Sequence, residues 1–437
     1  MVSYLSRASL AIGLLFLLGG CQSPSQLPQR LSKNHLLKPT SKAVVSSPVV
    51  HDLNGDGSVE IAVGSWDGNF YLLDTQLEDL SGWPKHSKRG FFSSPALADL
   101  DGDGQMEIIV GSDAGWLFAW RYDGSDAEGF PVHLGYTIWA SPMVLDGPRL
   151  AIGDRERMLL LDARGRSVSG WPQPLQGWPD ATAAHAPGLI AITTLTPGDP
   201  SKGWVYAWSE AGDLLAGFPV ELPMDSDSSP ALADFDGDGC WWIAFGDDAG
   251  WFHVLATDGR ERTGFPVRTL GAVSGPTPTP HPPGGNIYSI EASPAVADLD
   301  GDGRLEIAVG SWDGRMYLWN DAGQSLSGWP IQVGDQIISS AALVDLNADG
   351  VLDIVVGSKD GLLYGWTAAG ESLPGFPYDL GAPVFSSPWV GDLDRDGRAD
   401  MVVGANNGIH LLRDVGPLGT SAWPMFHRNA ARTGAVP

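Results

Sequence analysis

Residues 93–120, SSPALADLDGDGQMEIIVGSDAGWLFAW, hold most of one structural unit. SSPALADL is an apolar run that enters an acidic turn, and EIIVGS is a β-branched run that leaves it. Ala114-Gly115 marks a tight hairpin, after which WLFAWR alternates apolar with polar residues. GFPVHL (129–134) then reads as a fourth short strand, which its proline confines to an edge. Four short antiparallel strands in about 45 residues is the size of a propeller blade. No stretch shows sustained helical periodicity.

The acidic turn recurs as DLNGDGSVE (52–60), DLDGDGQME (99–107), DFDGDGCWW (234–242), DLDGDGRLE (298–306), DLNADGVLD (345–353) and DLDRDGRAD (392–400). The short steps are all 47 residues. The step of 135 from 99 to 234 spans three units, and VLDGPRLAIG (144–153) and APGLIAITTL (186–195) are remnants of units three and four without the acids. The step of 64 holds one unit plus 17 residues, supplied by GAVSGPTPTPHPPGGN (271–286). A Trp-Pro or Phe-Pro dipeptide recurs once per unit, at Trp83, Phe130, Trp171, Phe218, Phe265, Trp329, Phe376 and Trp423, and gives the same count. Repeats of this period are solenoids, propellers or arrays. The expectation is an all-β chain: a β-propeller of eight four-stranded blades over 43–433, with an insertion at 271–290. Seven blades is the alternative closure. Most of the 18 tryptophans fall at repeated positions and are expected to pack between blades. Trp139 and Trp178 lie off the pattern and are the candidates for a sugar platform.

Within each acidic turn the side chains at positions 1, 3 and 5 converge. Glycine at position 6 permits the bend, position 7 offers a backbone carbonyl and position 9 a further carboxylate. All donors are oxygens, which suits Ca²⁺ with 6–8 ligands rather than a softer metal. The loop begins like an EF-hand but lacks the twelfth-position Glu and joins two strands. With this motif the chain resembles the FG-GAP/VCBS family of calcium-binding propellers, like the head of integrin α subunits. Members mostly close seven blades. The resemblance implies up to six structural Ca²⁺ sites. Their ligands would be Asp52, Asn54, Asp56, Ser58 and Glu60; Asp99, Asp101, Asp103, Gln105 and Glu107; Asp234, Asp236, Asp238 and Cys240; Asp298, Asp300, Asp302, Arg304 and Glu306; Asp345, Asn347, Asp349, Val351 and Asp353; and Asp392, Asp394, Asp396, Arg398 and Asp400. In unit five Trp242 replaces the last carboxylate, so a weaker site is expected there.

The formal charge of −26 is concentrated in these turns, which hold 21 of the 52 acids and leave 31 acids against 26 bases. No basic stripe exists, which excludes nucleic acid as a partner. Residues 1–20 read as a signal peptide, with Arg7 followed by an apolar stretch too short to span a bilayer. Leu18-Gly19-Gly20-Cys21 resembles a bacterial lipobox, which implies acylation of Cys21, a linker over 21–42 and a lipid-anchored chain in the cell envelope. In a Gram-negative cell the membrane would be the outer one. The remaining cysteine, Cys240, has no internal partner, so no disulfide framework is available.

The nine histidines show no metal spacing and no G-x-S-x-G elbow occurs. The expectation is a non-enzyme: a binding or interaction scaffold for an envelope or extracellular protein or glycan. A quinoprotein-like dehydrogenase and a carbohydrate-active propeller are the enzyme alternatives. In a blade, the loops joining strands 1–2 and 3–4 share a face, so the acidic turns lie opposite the 2–3 hairpins and the connections between blades. The insertion and the long hairpin TTLTPGDPSKGW (193–204) fall on that opposite face, with Asp199, Lys202, His281 and Tyr288 as candidate contacts.

Overall fold

The computed structural model describes residues 29–196, 202–270 and 288–436. The signal peptide, Cys21, Asp199, His281 and most of the insertion lie outside the described residues. The described residues form eight sheets, antiparallel except where the last strand joins blade 5. Strands 1 to 4 of blade 2 are Ala96–Ala98, Glu107–Gly111, Trp116–Trp120 and Val132–His133. Blade 6 repeats this with Ala295–Ala297, Glu306–Gly310, Arg315–Trp319 and Ile331–Gln332. Register is the same in the two: Leu97 lies opposite Ile108, and Val296 opposite Ile307. Strand 4 is two residues long in six blades and three in blade 4, as its proline predicts. The first strands of blades 2 to 8 contact one another in sequence, hydrogen bonds from Ser47 to Ser94 and from Ser387 to Ser47 tie in blade 1, and together they ring a central channel. An eight-bladed β-propeller is the result, and the seven-bladed alternative falls away.

A belt of hydroxyls stitches the first strands together. The Ser47 N–H donates to Ser94 Oγ at 2.8 Å, Ser94 to Ser141, Ser141 to Thr182 and Thr182 to Ser229. Ser293 donates to Ser340, Ser340 to Ser387, and Ser387 closes the circle on Ser47 at 3.0 Å. At the junction of blades 5 and 6, Ser228 Oγ donates instead to the Ala292 carbonyl. The repeated tryptophans pack as expected. The Trp83, Trp171 and Trp329 indoles donate to the carbonyls of Tyr122, Glu210 and Ala368 in the next blade. Each is buried against the third strand of a neighbouring blade; Trp83 meets Trp120 edge-on at 5.7 Å.

Both ends of the chain differ from the sequence reading. His35–Pro39, within the expected linker 21–42, is the missing fourth strand of blade 8, paired with Gly408–Pro417, and Gln29–Ser32 adds a fifth. The propeller therefore begins at residue 29, and its ring is closed by a strand from the other end of the chain. The linker assignment missed this because four or five residues carry too little periodicity to be read. Trp423 is likewise not the strand-4 marker of unit eight. Ser421–Trp423 pairs with Ala342–Val344 of blade 7 inside the channel. The tail then circles the channel. Its carbonyls at Pro424, Ala430, Ala431, Thr433 and Gly434 accept the N–H groups of Val390, Leu97, Val144, His185 and Leu232, all on first strands. It ends as Ala435–Val436, parallel to Ala231–Ala233 of blade 5. The tail thereby satisfies inner edges that would otherwise be unpaired.

Candidate functional site

The acidic turns share one geometry. Asp52 Oδ1 accepts the N–H groups of Gly55 and Asp56, and its Oδ2 accepts that of Gly57 at 2.8 Å. The Asp99, Asp298 and Asp392 carboxylates are held in the same way. Position 6 has positive φ in all six turns, from 82° to 93°, where glycine carries no steric cost. The position-9 carboxylates Glu60, Glu107, Glu306, Asp353 and Asp400 are buried beneath the turn. One oxygen of each accepts the N–H of Leu53, Leu100, Leu299, Leu346 or Leu393. Burial raises Glu60 to about 7 against that bond, with repulsion from Asp56 and Asp52 adding to it. Glu306 likewise reaches about 7 and Asp353 about 6. Buried acids pushed up by like charge are short of a cation. In turns 2, 6 and 8, oxygens of Asp99, Asp101 and Glu107, of Asp298, Asp300 and Asp302, and of Asp392, Asp394 and Asp400 lie within 4.8 Å of one another. The donor sets of units 1, 2, 6, 7 and 8 fit a hard divalent ion.

Unit five does not. The Asp236 carboxylate accepts both Arg262 Nη groups, at 2.7 and 2.8 Å, and the Trp242 indole N–H at 3.1 Å. Trp242 stands in place of the buried ninth carboxylate and both guanidinium nitrogens grip the third-position acid, whereas in units 2 and 8 Arg121 and Arg413 each donate a single bond to that acid and the ninth carboxylate remains buried beneath the turn. Cys240 is exposed, and its N–H donates to Asp238. In units three and four protein cations again stand in: Glu210 accepts from Arg149 at 2.6 Å and lies 2.9 Å from His185 Nε2. Burial works to raise Glu210, but His185, Arg149 and the Gly188 N–H hold it at about 2.

The opposite face holds a pocket of about 140 Å³ at the channel mouth, floored by Phe426 of the tail. Its wall is set by the residue before each S-S-P-like segment. These are Val45, Phe92, Trp139, Ile338 and Phe385 on one side, and Asp180, Asp227 and Glu291 from three consecutive blades on the other. Trp139, singled out from the sequence, is in this wall. Trp178 is stacked under the Arg155 guanidinium at 3.9 Å instead. Lys202 and Tyr288 are on this face as expected. Lys202 is exposed beside Glu221, and Tyr288 lies 5.4 Å from the Arg268 guanidinium. Sequence reading does not reveal these carboxylates as neighbours, because Asp180, Asp227 and Glu291 are 47 and 64 residues apart and meet only around the ring axis.

One buried charge group makes pH dependence testable. His253 lies between Glu261 (3.0 Å) and Asp247 (3.5 Å) in blade 5. Burial opposes its charge, but the two carboxylates prevail and raise it from 6.5 to about 9. The folded chain therefore binds the proton more tightly than the unfolded chain. The stabilisation is complete below pH 6.5 and is lost as pH rises through about 9. With Ca²⁺ saturating, the melting-temperature advantage of wild type over His253→Gln should shrink across that window. Parallel curves would refute the assignment.

The family model for the FG-GAP-like repeat matches residues 52–110 and 298–356. A search of curated proteins returned no match. Among solved structures the chain is similar to a europium-containing methanol dehydrogenase, with a TM-score of 0.63 at 14% identity over 89% of this chain and 95% of that one. It is similar to the quinohemoprotein alcohol dehydrogenase of Comamonas testosteroni, with a TM-score of 0.60 at 14% identity over 87% and 75%. BamB from Moraxella catarrhalis gives a TM-score of 0.51 at 14% identity over 78% and 93%. At these identities the likeness is one of fold.

Proposed function

We propose that this chain, an eight-bladed propeller of FG-GAP-like repeats, is a lipid-anchored, calcium-stapled binding scaffold of the cell envelope. Its ligand, a protein or glycan, is taken on the face opposite the acidic turns. The observation that carries the reading is the division of labour between the faces. One carries the acidic turns between strands 1 and 2, while the other presents a pocket walled in part by Phe92, Trp139 and Phe385, together with Lys202 and Tyr288. Fold alone carries no function, so the ligand must be found by capture. The mature chain from residue 21, kept whole because residues 29–39 belong to blade 8, is used in an envelope pull-down and on a glycan array. A specific partner lost on Phe92→Ala or Trp139→Ala supports the reading. A partner retained by both variants and lost only when the acidic turns are altered places binding on the other face and refutes it.

A quinoprotein-like enzyme is the second reading. Its support is the convergence of carboxylates beside aromatic side chains in the channel. Dye-linked alcohol oxidation that depends on added quinone would favour it over the scaffold.

A further inference from the structure

Asp227, Asp248 and Glu291 each place one oxygen within 4.8 Å of the other two. Asp227 immediately precedes the Ser228-Ser229-Pro230 entry to blade 5, Asp248 sits in the 2–3 hairpin of the same blade, and Glu291 stands at the entry to blade 6. Spacings of 21 and 43 residues conceal the cluster in the chain. It lies where the hydroxyl belt changes partner, at the junction of blades 5 and 6.

Two further observations point to something held there. Asp227 is half-buried as a residue, yet its Oδ1 is sealed from solvent and accepts no hydrogen bond; Asp180 Oδ2, in the same wall, is in the same state. A buried carboxylate oxygen left without a partner is costly. Asp227 and Glu291 also line a cavity with Asp180, which has room for water to complete a coordination sphere. Asp248 is steered by Ser289, whose hydroxyl donates to Oδ1 at 2.7 Å.

We infer that Asp227, Asp248 and Glu291 form a channel-mouth site for a hard divalent cation of the calcium class, separate from the acidic turns. Three carboxylate oxygens from independent elements, with waters filling the remaining positions, suit the six to eight oxygen donors and loose geometry that Ca²⁺ accepts. Protein charge is insufficient to replace the ion. Arg155 acts on Asp180 and Lys359 on Glu291, against the carboxyl groups of Asp180, Asp225, Asp227, Asp248 and Glu291. The site rests on the channel geometry and not on the scaffold reading, so a pull-down that finds no partner leaves it standing.

The test counts ions and then looks for this one. Mature chain is stripped with chelator and dialysed to equilibrium against Ca²⁺. Wild type should bind one ion more per chain than Asp227→Asn/Glu291→Gln, with the calcium-induced rise in melting temperature at the turns retained in the variant. Wild-type crystals soaked in Tb³⁺ should show an anomalous peak between the three carboxylates; this measurement needs no variant to fold. Anomalous density confined to the acidic turns, or equal ion counts in two folded proteins, overturns the inference and leaves the carboxyls to hold protons instead.

Discussion

Excess EGTA should lower the melting temperature by more than about 10 °C, and returning Ca²⁺ should restore it. The magnitude follows from mass action on the five turns whose donor sets fit. Extracellular calcium modules bind at about 10⁻⁴–10⁻³ M. At about 10 mM Ca²⁺, each such site then stabilises the folded chain by about 1.4–2.7 kcal/mol. Five sites together contribute on the order of 7–13 kcal/mol, comparable to the whole stability of an ordinary domain. The apo turns are unfavourable on their own account. Three or four acids crowd into nine residues, the position-9 groups are buried, and Ala348 and Arg395 sit at positive φ without being glycine. A melting curve unmoved by chelator would sink the structural role of calcium. Isothermal titration should find no turn site in unit five, where Trp242 replaces the ninth carboxylate and Arg262 holds Asp236 through both Nη groups.

Removing residues 419–437 should be nearly as damaging. The loss begins with the tail's backbone bonds to the first strands of blades 2, 3, 4, 5, 7 and 8, at about 0.5–1.5 kcal/mol net for each bond. It continues with Trp423, 1% exposed, whose burial is worth about 3–5 kcal/mol. Arg432 is the pivot of the tail. Fully buried, it donates to the carbonyls of Pro95, Phe426, Ser47 and Pro48 and meets no carboxylate. Burial lowers its pKa to about 9. Arg432→Met keeps the bulk but abandons those carbonyls, and should cost about 2–4 kcal/mol. The truncated chain should unfold at least 10 °C lower, or without a cooperative transition. Coincident denaturation curves for full and truncated chains would show that the tail is dispensable.

The parts of this architecture that repeat were readable, because each repeat is an independent witness to the same local rule. Period-2 patterning around a turn that needs glycine at position 6 identifies strands 1 and 2 wherever it occurs. Six occurrences, with the two remnants at 144–153 and 186–195, give the blade count. The metal donors were readable for the same reason, since Asp99, Asp101, Asp103 and Glu107 lie within nine residues and their convergence is a local matter. Arg262 on Asp236 was not readable. The two are 26 residues apart, and many side chains could have reached that carboxylate.

Sequence alone thus determined the blade, the count of eight units and which turns carry oxygen donors for a cation, since all three depend on residues within one unit. Tertiary structure decided how the circle closes and what faces its centre. His35–Pro39 finds Gly408–Pro417 across the whole length of the chain, and the tail finds the first strands of six blades one after another. Asp227, Asp248 and Glu291 become neighbours only when blades 5 and 6 are set side by side around an axis. Contacts of that kind carry no period. They are fixed by ring geometry, which places the same position of every unit around one small pocket.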